Sequence, residues 1–597
     1  MQEIKARNEM DPAYQWDLTH LFKTKQDWEN AYKEAEGMIP EIGKLRSHLA
    51  GSAEELERSL SLIDRISEKV ELVGAYAFLS KAGDGGDPEA QEMNDRATRL
   101  YVQLSTATAF LEPELLTIDD ALMKEYMQDP ALASHRHYLD DVSRRRAHTL
   151  SADAEAMLAA LGDAAQTPSV AFDMLTNVDM EFPVIRDEDG NEHRLSNGNF
   201  AVFRESKCRR VREDAFEGYF GTYAKYINTT AALYAGSVKV DTYYASMHRH
   251  DSACEQALFS NNVPISVYDS LIQAVHDGLS DMKRYLALRK KTLGLDRLDV
   301  YDLYVPMVED VEYPMPYEDA KQLVRRALAP LGEDYCKVLD RAFAERWIDV
   351  YENKGKESGA FSAGVYGVHP YVKLNYTDTL DDAYTLAHEL GHAMHSYYSS
   401  ETQDYANHDY RIMVAEVAST VNEVLLTKYL LSTETEPRRR AYILNHFLES
   451  FRTTVFRQTL FAEFERRAHD MYNSGVSLTA SSLSDLYGEL ESTYYAGAEM
   501  RDTIKYEWSY IPHFYNAFYV YQYATGFSSA VAIADAIIES GDAGDYRRFL
   551  TLGGSDYPIE ELKVAGVDLS SPETVKRAID VFGKTITELS DLLDSLS

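Results

Sequence analysis

The chain has 597 residues, 45% of them hydrophobic and 26% charged, which excludes a small stapled scaffold and wholesale disorder and leaves room for two large lobes sharing an extended core. Asp plus Glu number 97 against 60 Lys plus Arg, a formal charge of −37, so nucleic acid and anionic membrane are poor partners. Three cysteines, Cys208, Cys254 and Cys336, without paired spacing point to a reducing compartment.

The amino terminus, MQEIKARNEMDPAYQWDLTHLF, lacks the uninterrupted apolar stretch of a signal peptide, and a cytoplasmic location is expected. From there to about Asp163 apolar residues recur at three- and four-residue spacing, the helical period. Residues 168 to 204 turn to alternating, turn-rich sequence, and VDMEFPVIRDEDGNEHRLS predicts a β-hairpin around Asp189 and Gly190. This change of character sets the expected division, with an amino-terminal helical region at 1–204 and a catalytic region at 205–597. Helical periodicity resumes from about Glu213 and runs almost to the end, with a loop near Leu293 to Tyr317. Strand character returns at Gly359 to Thr377, in GAFSAGVYG and HPYVKLNYT. The expected fold is therefore mainly α, with a small β element directly ahead of one unusual helix. Phe514 to Ala534 carries no charged side chain, but its Asn, Gln, Thr, Gly, Ser and Tyr content suits a buried helix beside a polar cleft better than lipid.

The unusual helix begins behind Thr379-Leu380-Asp381-Asp382, a capping-box pattern, and contains His388-Glu389-Leu390-Gly391-His392. Two histidines at i and i+4 lie ~6 Å apart along the axis and ~40° apart around it, so both imidazoles reach one ion. Glu389 projects beside that ion, where a carboxylate can take a proton from an activated water. Leu386, Leu390, Met394 and Tyr397 cluster on one face, and His388, His392 and His395 on the other. His395 stands ~10 Å along the axis from His388, too far to share an ion bound at ~2 Å, and is placed behind the ligands or in the cleft wall. A third ligand must come from elsewhere. In YRIMVAEVASTVNEVLLTKYLL, Glu416 is the better choice because its neighbours are apolar and a metal would neutralise it. Glu423, two turns on and nearly on the same face, is the fallback. Glu401, Asp404 and His408, in the connecting loop, read as solvated residues, as does His248-Arg249-His250-Asp251.

Four segments, GKESGAFSAG, HPYVKLNYTDTLDDAYTLAHELGHAMHS, VAEVASTVNE and IPHFYNAFYVYQYATG, together resemble the M3 peptidases, and within them the oligoendopeptidase F group. WDLTHLF and RRRAHTLSADAEAMLAALGDA look like that group's amino-terminal region. The resemblance implies a zinc endopeptidase acting on short unfolded oligopeptides, with one zinc ion per chain held by His388, His392 and Glu416, and Glu389 as general base and acid. It implies a two-lobed helical ellipsoid with a deep substrate channel. It also implies that a His and one or more Tyr of IPHFYNAFYVYQYATG contact the substrate carbonyl, where neutral donors stabilise the oxyanion of amide hydrolysis. His513 and Tyr521 are favoured for that role, with Tyr519 next. The strands ahead of the motif helix could pair with a substrate backbone. Two rival readings are a zinc carboxypeptidase, for which no Arg in the motif region supplies a carboxylate pocket, and a non-catalytic peptide-binding protein with a structural metal.

Overall fold

Helices account for most of the chain because the apolar spacing of three and four residues persists through long stretches that lack Pro. The computed structural model describes residues 4–308 and 311–596, and its strands are few and short. The hairpin forms where the alternating pattern placed it: β1 (Val184–Arg186) pairs antiparallel with β2 (Glu192–Arg194), and Gly190, at φ +87°, makes the turn that a side chain would disfavour. A second sheet is built from β3 (Ile348–Asp349), β4 (Phe361–Ala363) and β5 (Tyr371–Lys373) in the order β3-β5-β4. β5 runs parallel to β3 and antiparallel to β4, with Ser362 opposite Val372. β4 is thus an edge strand.

Contacts divide the chain into two units, neither of them contiguous. The first comprises Met1–Thr149, Tyr313–Tyr429 and Ile533–Val567, and the second Leu150–Glu312, Leu430–Ala532 and Asp568–Ser597. The sequence boundary at 204 falls inside the second unit. It marks a change of local character, and the amino-terminal region is shared between both units. The reason is long-range backbone pairing within the first unit: Val350 N–H donates to the Tyr14 carbonyl and Asp17 N–H to the Arg346 carbonyl, both at 2.9 Å. Arg7 adds an ion pair to the buried Asp349, which also meets the buried Lys356 at 2.7 Å. The amino-terminal segment is therefore part of the sheet's support. Above it, the helices Lys25–Ile42, Ala53–Gly83 and Pro88–Thr108 bury Trp28, Ile66, Val70 and Leu100.

The second unit is organised on the 39-residue helix Arg209–Met247. In it the uncharged segment gives a single-turn 3-10 helix, Pro512–Tyr515, and then the start of the helix Tyr521–Ser540. His248 and His250 are not simply solvated, since they face Glu155 at 3.4 Å and Glu255 at 3.8 Å. Among the described residues no helix is long and apolar enough to cross a membrane.

Two helices of the first unit carry the motifs. The motif helix, Leu380–Thr402, starts at the expected cap: Thr379 Oγ1 accepts from Asp382 N–H at 3.2 Å, and the Asp382 carboxylate accepts from Thr379 N–H at 3.0 Å. Its face of Leu386, Leu390 and Met394 is fully buried. The carboxylate helix, Ile412–Thr433, crosses it so closely that a Cβ built on Gly391 would stand 2.5 Å from Ser419 Cα and 2.6 Å from the Ala418 carbonyl oxygen. Both neighbours are backbone and cannot rotate away. Gly391→Ala should force the helices apart at a cost of about 1–3 kcal/mol, the usual range for overpacking, and lower the melting temperature measured by circular dichroism. An unchanged melting temperature would show that the crossing tolerates a methyl group.

Candidate metal centre

The crossing at Gly391 brings three ligand-type atoms to one point. His388 Nε2 and His392 Nε2 stand 3.2 Å apart, and Glu416 Oε2 lies 3.6 Å from the first and 3.8 Å from the second. Ligands ~2.0–2.1 Å from a tetrahedral ion are about 3.3–3.4 Å from one another, so these separations fit a metal ion held by all three. Among the described residues this trio is the only cluster of at least three His, Cys, Asp or Glu side chains with that geometry.

Each imidazole has a further partner. His388 Nδ1 donates to Glu423, which leaves the Nε2 lone pair facing the common point. His392 is hydrogen-bonded to the backbone at Ala415. Glu423 therefore meets His388 on the nitrogen away from the cluster, while Glu416 lies on the Nε2 side with the converging atoms. Burial, together with the neighbouring His388, pulls His392 down to about 3, so it is neutral and its lone pair is available. Burial also pulls on His388, but the hydrogen bond to Glu423 and the surrounding carboxylates outweigh it and hold that imidazole above its usual value. Glu389 is 7% exposed. Burial pushes its carboxyl up to about 7, with Glu416 and Glu423 adding to the rise and His388 opposing it.

A cleft of about 750 Å³ opens over these residues, lined by His388, Glu389, His392 and Glu416 and by Phe361, Ser362 and Gly364 of the β4 segment. The strand end lies against the motif helix, where a Cβ on Gly364 would stand 2.9 Å from Ser396. The cleft is also lined by Glu71, Tyr405, His408 and Tyr410. No sequence signal marks Glu71, Tyr405 or Tyr410 for this place, and His408 reads in the sequence as a solvated loop residue. His408 is half-buried, 3.7 Å from Glu71, and Tyr405 donates to the same carboxylate at 2.9 Å. Glu71 comes from the helix Ala53–Gly83, and nothing local in its sequence points to the cleft. Glu401 is exposed in the last turn of the motif helix, and Asp404 is exposed and accepts from Ser134.

His395 is not in the cleft wall. It is 1% exposed and stacked on Tyr410 with ring centroids 3.7 Å apart, with Phe549 at 5.2 Å. Burial and the nearby His392 pull it down to about 3, so it serves as a neutral aromatic spacer. Its support reaches the site through Tyr410, whose hydroxyl meets Ser396 Oγ at 2.8 Å and the His392 carbonyl at 3.4 Å.

The aromatic segment belongs to the second unit. His513 is half-buried and its ring is 6.3 Å from Tyr519 and 6.0 Å from Tyr523. Tyr521, the first choice among the tyrosines, turns away from this group: it is 2% exposed and packs 5.3 Å from Tyr268. Between Tyr519 and the 3-10 turn sits Phe518 at φ +58°, a conformation rare for a bulky side chain. Burial depresses the His513 imidazole below its usual value, which favours the neutral ring.

Because Glu423 fixes the His388 tautomer, Glu423→Ala should weaken metal binding by roughly 10- to 100-fold, read by competition with a chelating dye. Affinity equal to the parent chain would remove Glu423 from the site.

The matching family models agree with this geometry. Residues 202–581 match the model described as peptidase family M3, and residues 114–182 match the one described as oligopeptidase F. Oligopeptidase PepF of Bacillus subtilis is 41% identical over 99% of this chain and 89% of its own length. An oligoendopeptidase F homolog of Lactococcus lactis is 38% identical over 99% of both chains. Among solved structures, oligoendopeptidase-F from Enterococcus faecium is 35% identical, covering 96% of this chain and 99% of that one with a TM-score of 0.72. A chain from Chlamydophila abortus, 33% identical, covers 99% and 100% with a TM-score of 0.94. With two imidazoles and a carboxylate converging beside a buried glutamate, and with relatives of this closeness along its whole length, the chain belongs to peptidase family M3 and is a metalloendopeptidase of the oligoendopeptidase F type.

Proposed function

We propose that the chain is a zinc endopeptidase that hydrolyses internal bonds of short unfolded oligopeptides, with one zinc ion per chain at His388, His392 and Glu416 and with Glu389 as general base and acid. The observation that carries this reading is the triangle of ligand atoms with sides of 3.2, 3.6 and 3.8 Å at the floor of the cleft. Two imidazole nitrogens with one carboxylate are a donor set that suits Zn²⁺ and leaves a position open for chemistry. When bound there, zinc supplies a Lewis acid that polarises the substrate carbonyl and makes water more acidic.

The chain's own groups do the rest. Glu389 removes a proton from the attacking water and, raised by its burial, later returns it to the departing amine nitrogen. Glu423 holds the His388 ring against rotation. β4 offers free backbone groups on its outer edge, which can align an extended peptide whatever its side chains are. For the oxyanion we propose His513 and Tyr519 as donors, supported by their adjacent half-buried rings, and we assign Tyr521 to packing because it faces Tyr268. An edge strand that binds the middle of a peptide favours endopeptidase action over trimming from a carboxyl end.

Glu389→Gln should keep the metal, since no ligand is touched, and lose roughly 10²- to 10⁴-fold in kcat on an internally quenched peptide. Near-normal turnover in that variant would rule out Glu389 as base. Glu416→Ala should lose both metal and activity; full occupancy there would displace Glu416 from the ligand set. For the aromatic segment, Tyr519→Phe should lower kcat by roughly 10- to 10³-fold with little change in KM, whereas Tyr521→Phe should leave kcat nearly intact. The reverse order would restore Tyr521 as the donor.

A further inference from the structure

Glu465 has no part in the chemistry above, yet its carboxyl holds the backbone next to one of the proposed donors. It lies in the helix Arg457–Asn473 of the second unit and is fully buried. Oε1 accepts the Phe518 N–H at 3.1 Å, and Oε2 is buried without a hydrogen-bond partner. A carboxyl placed in the core to meet a single backbone N–H is unusual, because an apolar side chain could fill the same space without desolvating two oxygens.

What it meets explains the arrangement. Phe518 is the only aromatic residue with positive φ among the described residues, and a left-handed backbone at a bulky side chain persists only where its surroundings over-determine it. Those surroundings act on both the backbone and the ring. Glu465 binds the amide. His469, one turn further along the same helix, lies 4.6 Å from the Phe518 ring, and Tyr268 lies 5.7 Å away. His469 is itself fixed, with Nδ1 donating to the Glu465 carbonyl at 2.8 Å and Nε2 standing 3.3 Å from Asp241. The residue directly after this pinned turn is Tyr519, whose ring is paired with His513.

We propose that Glu465 is a positioning residue for peptide hydrolysis: its carboxyl oxygen pins Phe518 in the left-handed conformation and thereby fixes where the Tyr519 hydroxyl and the His513 imidazole stand. The inference rests on the reading of those two side chains as substrate donors. Burial drives the Glu465 carboxyl well above the usual carboxylate range, so the group acts as a neutral acceptor, and an amide of the same shape can replace it.

The test uses the metal-loaded full chain. Glu465→Met keeps volume and removes the acceptor. Its kcat should fall by roughly 10- to 10²-fold, with KM and metal content within about twofold of the parent. Hydrogen exchange at the Phe518 amide should accelerate in the same variant. Glu465→Gln should restore both kcat and amide protection, and Tyr519→Phe should cost less on the Glu465→Met background than alone, as expected for residues acting through one another. If Glu465→Met does not fold, Glu465→Asp, which withdraws the carboxyl by one methylene, takes its place with the same expectations. If Tyr519→Phe and His513→Ala lower kcat but loss of the Glu465 acceptor leaves kcat per metal-loaded site unchanged, the positioning role is overturned and the donor reading stands. If Tyr519→Phe and His513→Ala are themselves silent, the donor reading falls, and the positioning role falls with it.

Discussion

The metal centre depends on how closely two helices can approach. His388 and His392 are fixed by their spacing on the motif helix, but Glu416 reaches the same point only because the carboxylate helix lies against Gly391, with no room for a methyl group between them. The contact is locked along its length. Asn422 donates to the Ala387 carbonyl at 3.0 Å and accepts from Tyr335 at 3.1 Å, and the Tyr384 hydroxyl meets Thr427 at 2.9 Å. These buried polar bonds set the register of one helix on the other, since a slip would leave each partner desolvated and unpaired. Register in turn decides that Glu416 faces the Nε2 atoms while Glu423, seven residues on, faces Nδ1.

Charge explains why such a site needs an ion. Glu389, Glu416 and Glu423 crowd together beside imidazoles of which at least His392 is neutral. Carboxylates gathered in a half-buried cleft repel one another, which adds to the rise of Glu389 that its burial mainly causes. A divalent cation at the ligand triangle would offset that repulsion, and Glu389 is not among the converging atoms. Lys373, buried on β5 and donating to the carbonyls of Glu357 and Ser358 at 2.8 Å, adds a fixed positive charge that lowers the Glu389 carboxyl and ties the sheet to the site.

Local features were legible in the sequence, and features made by tertiary contact were not. The capping box at Thr379, the apolar face of the motif helix and the hairpin at Gly190 each follow from residues a few positions apart. Glu416 and Glu423 could not be separated by periodicity, because residues seven apart share a helix face; only the two nitrogens of His388 distinguish them. His395 shares the histidine face of the motif helix, but Tyr410 folds over it from the following loop, so a side chain expected behind the ligands or in the cleft wall is stacked in the interior. Tyr521 and Tyr519 differ by two residues, and with a left-handed residue at 518 just before them no helical register could be extrapolated across that point. The division into units was invisible because it is made by tertiary contact: the bonds that Tyr14 accepts from Val350 and Asp17 donates to Arg346, which bind the amino terminus to the sheet, span more than 300 residues of chain.

Zinc K-edge X-ray absorption on the metal-loaded chain reads the ligand set itself. The spectrum should show a single zinc environment with two imidazole nitrogens and at least one carboxylate oxygen at about 2.0–2.1 Å, and should lose the carboxylate contribution when Glu416 is replaced by Ala. A shell with three imidazoles, or an unchanged spectrum in Glu416→Ala, would contradict that ligand set.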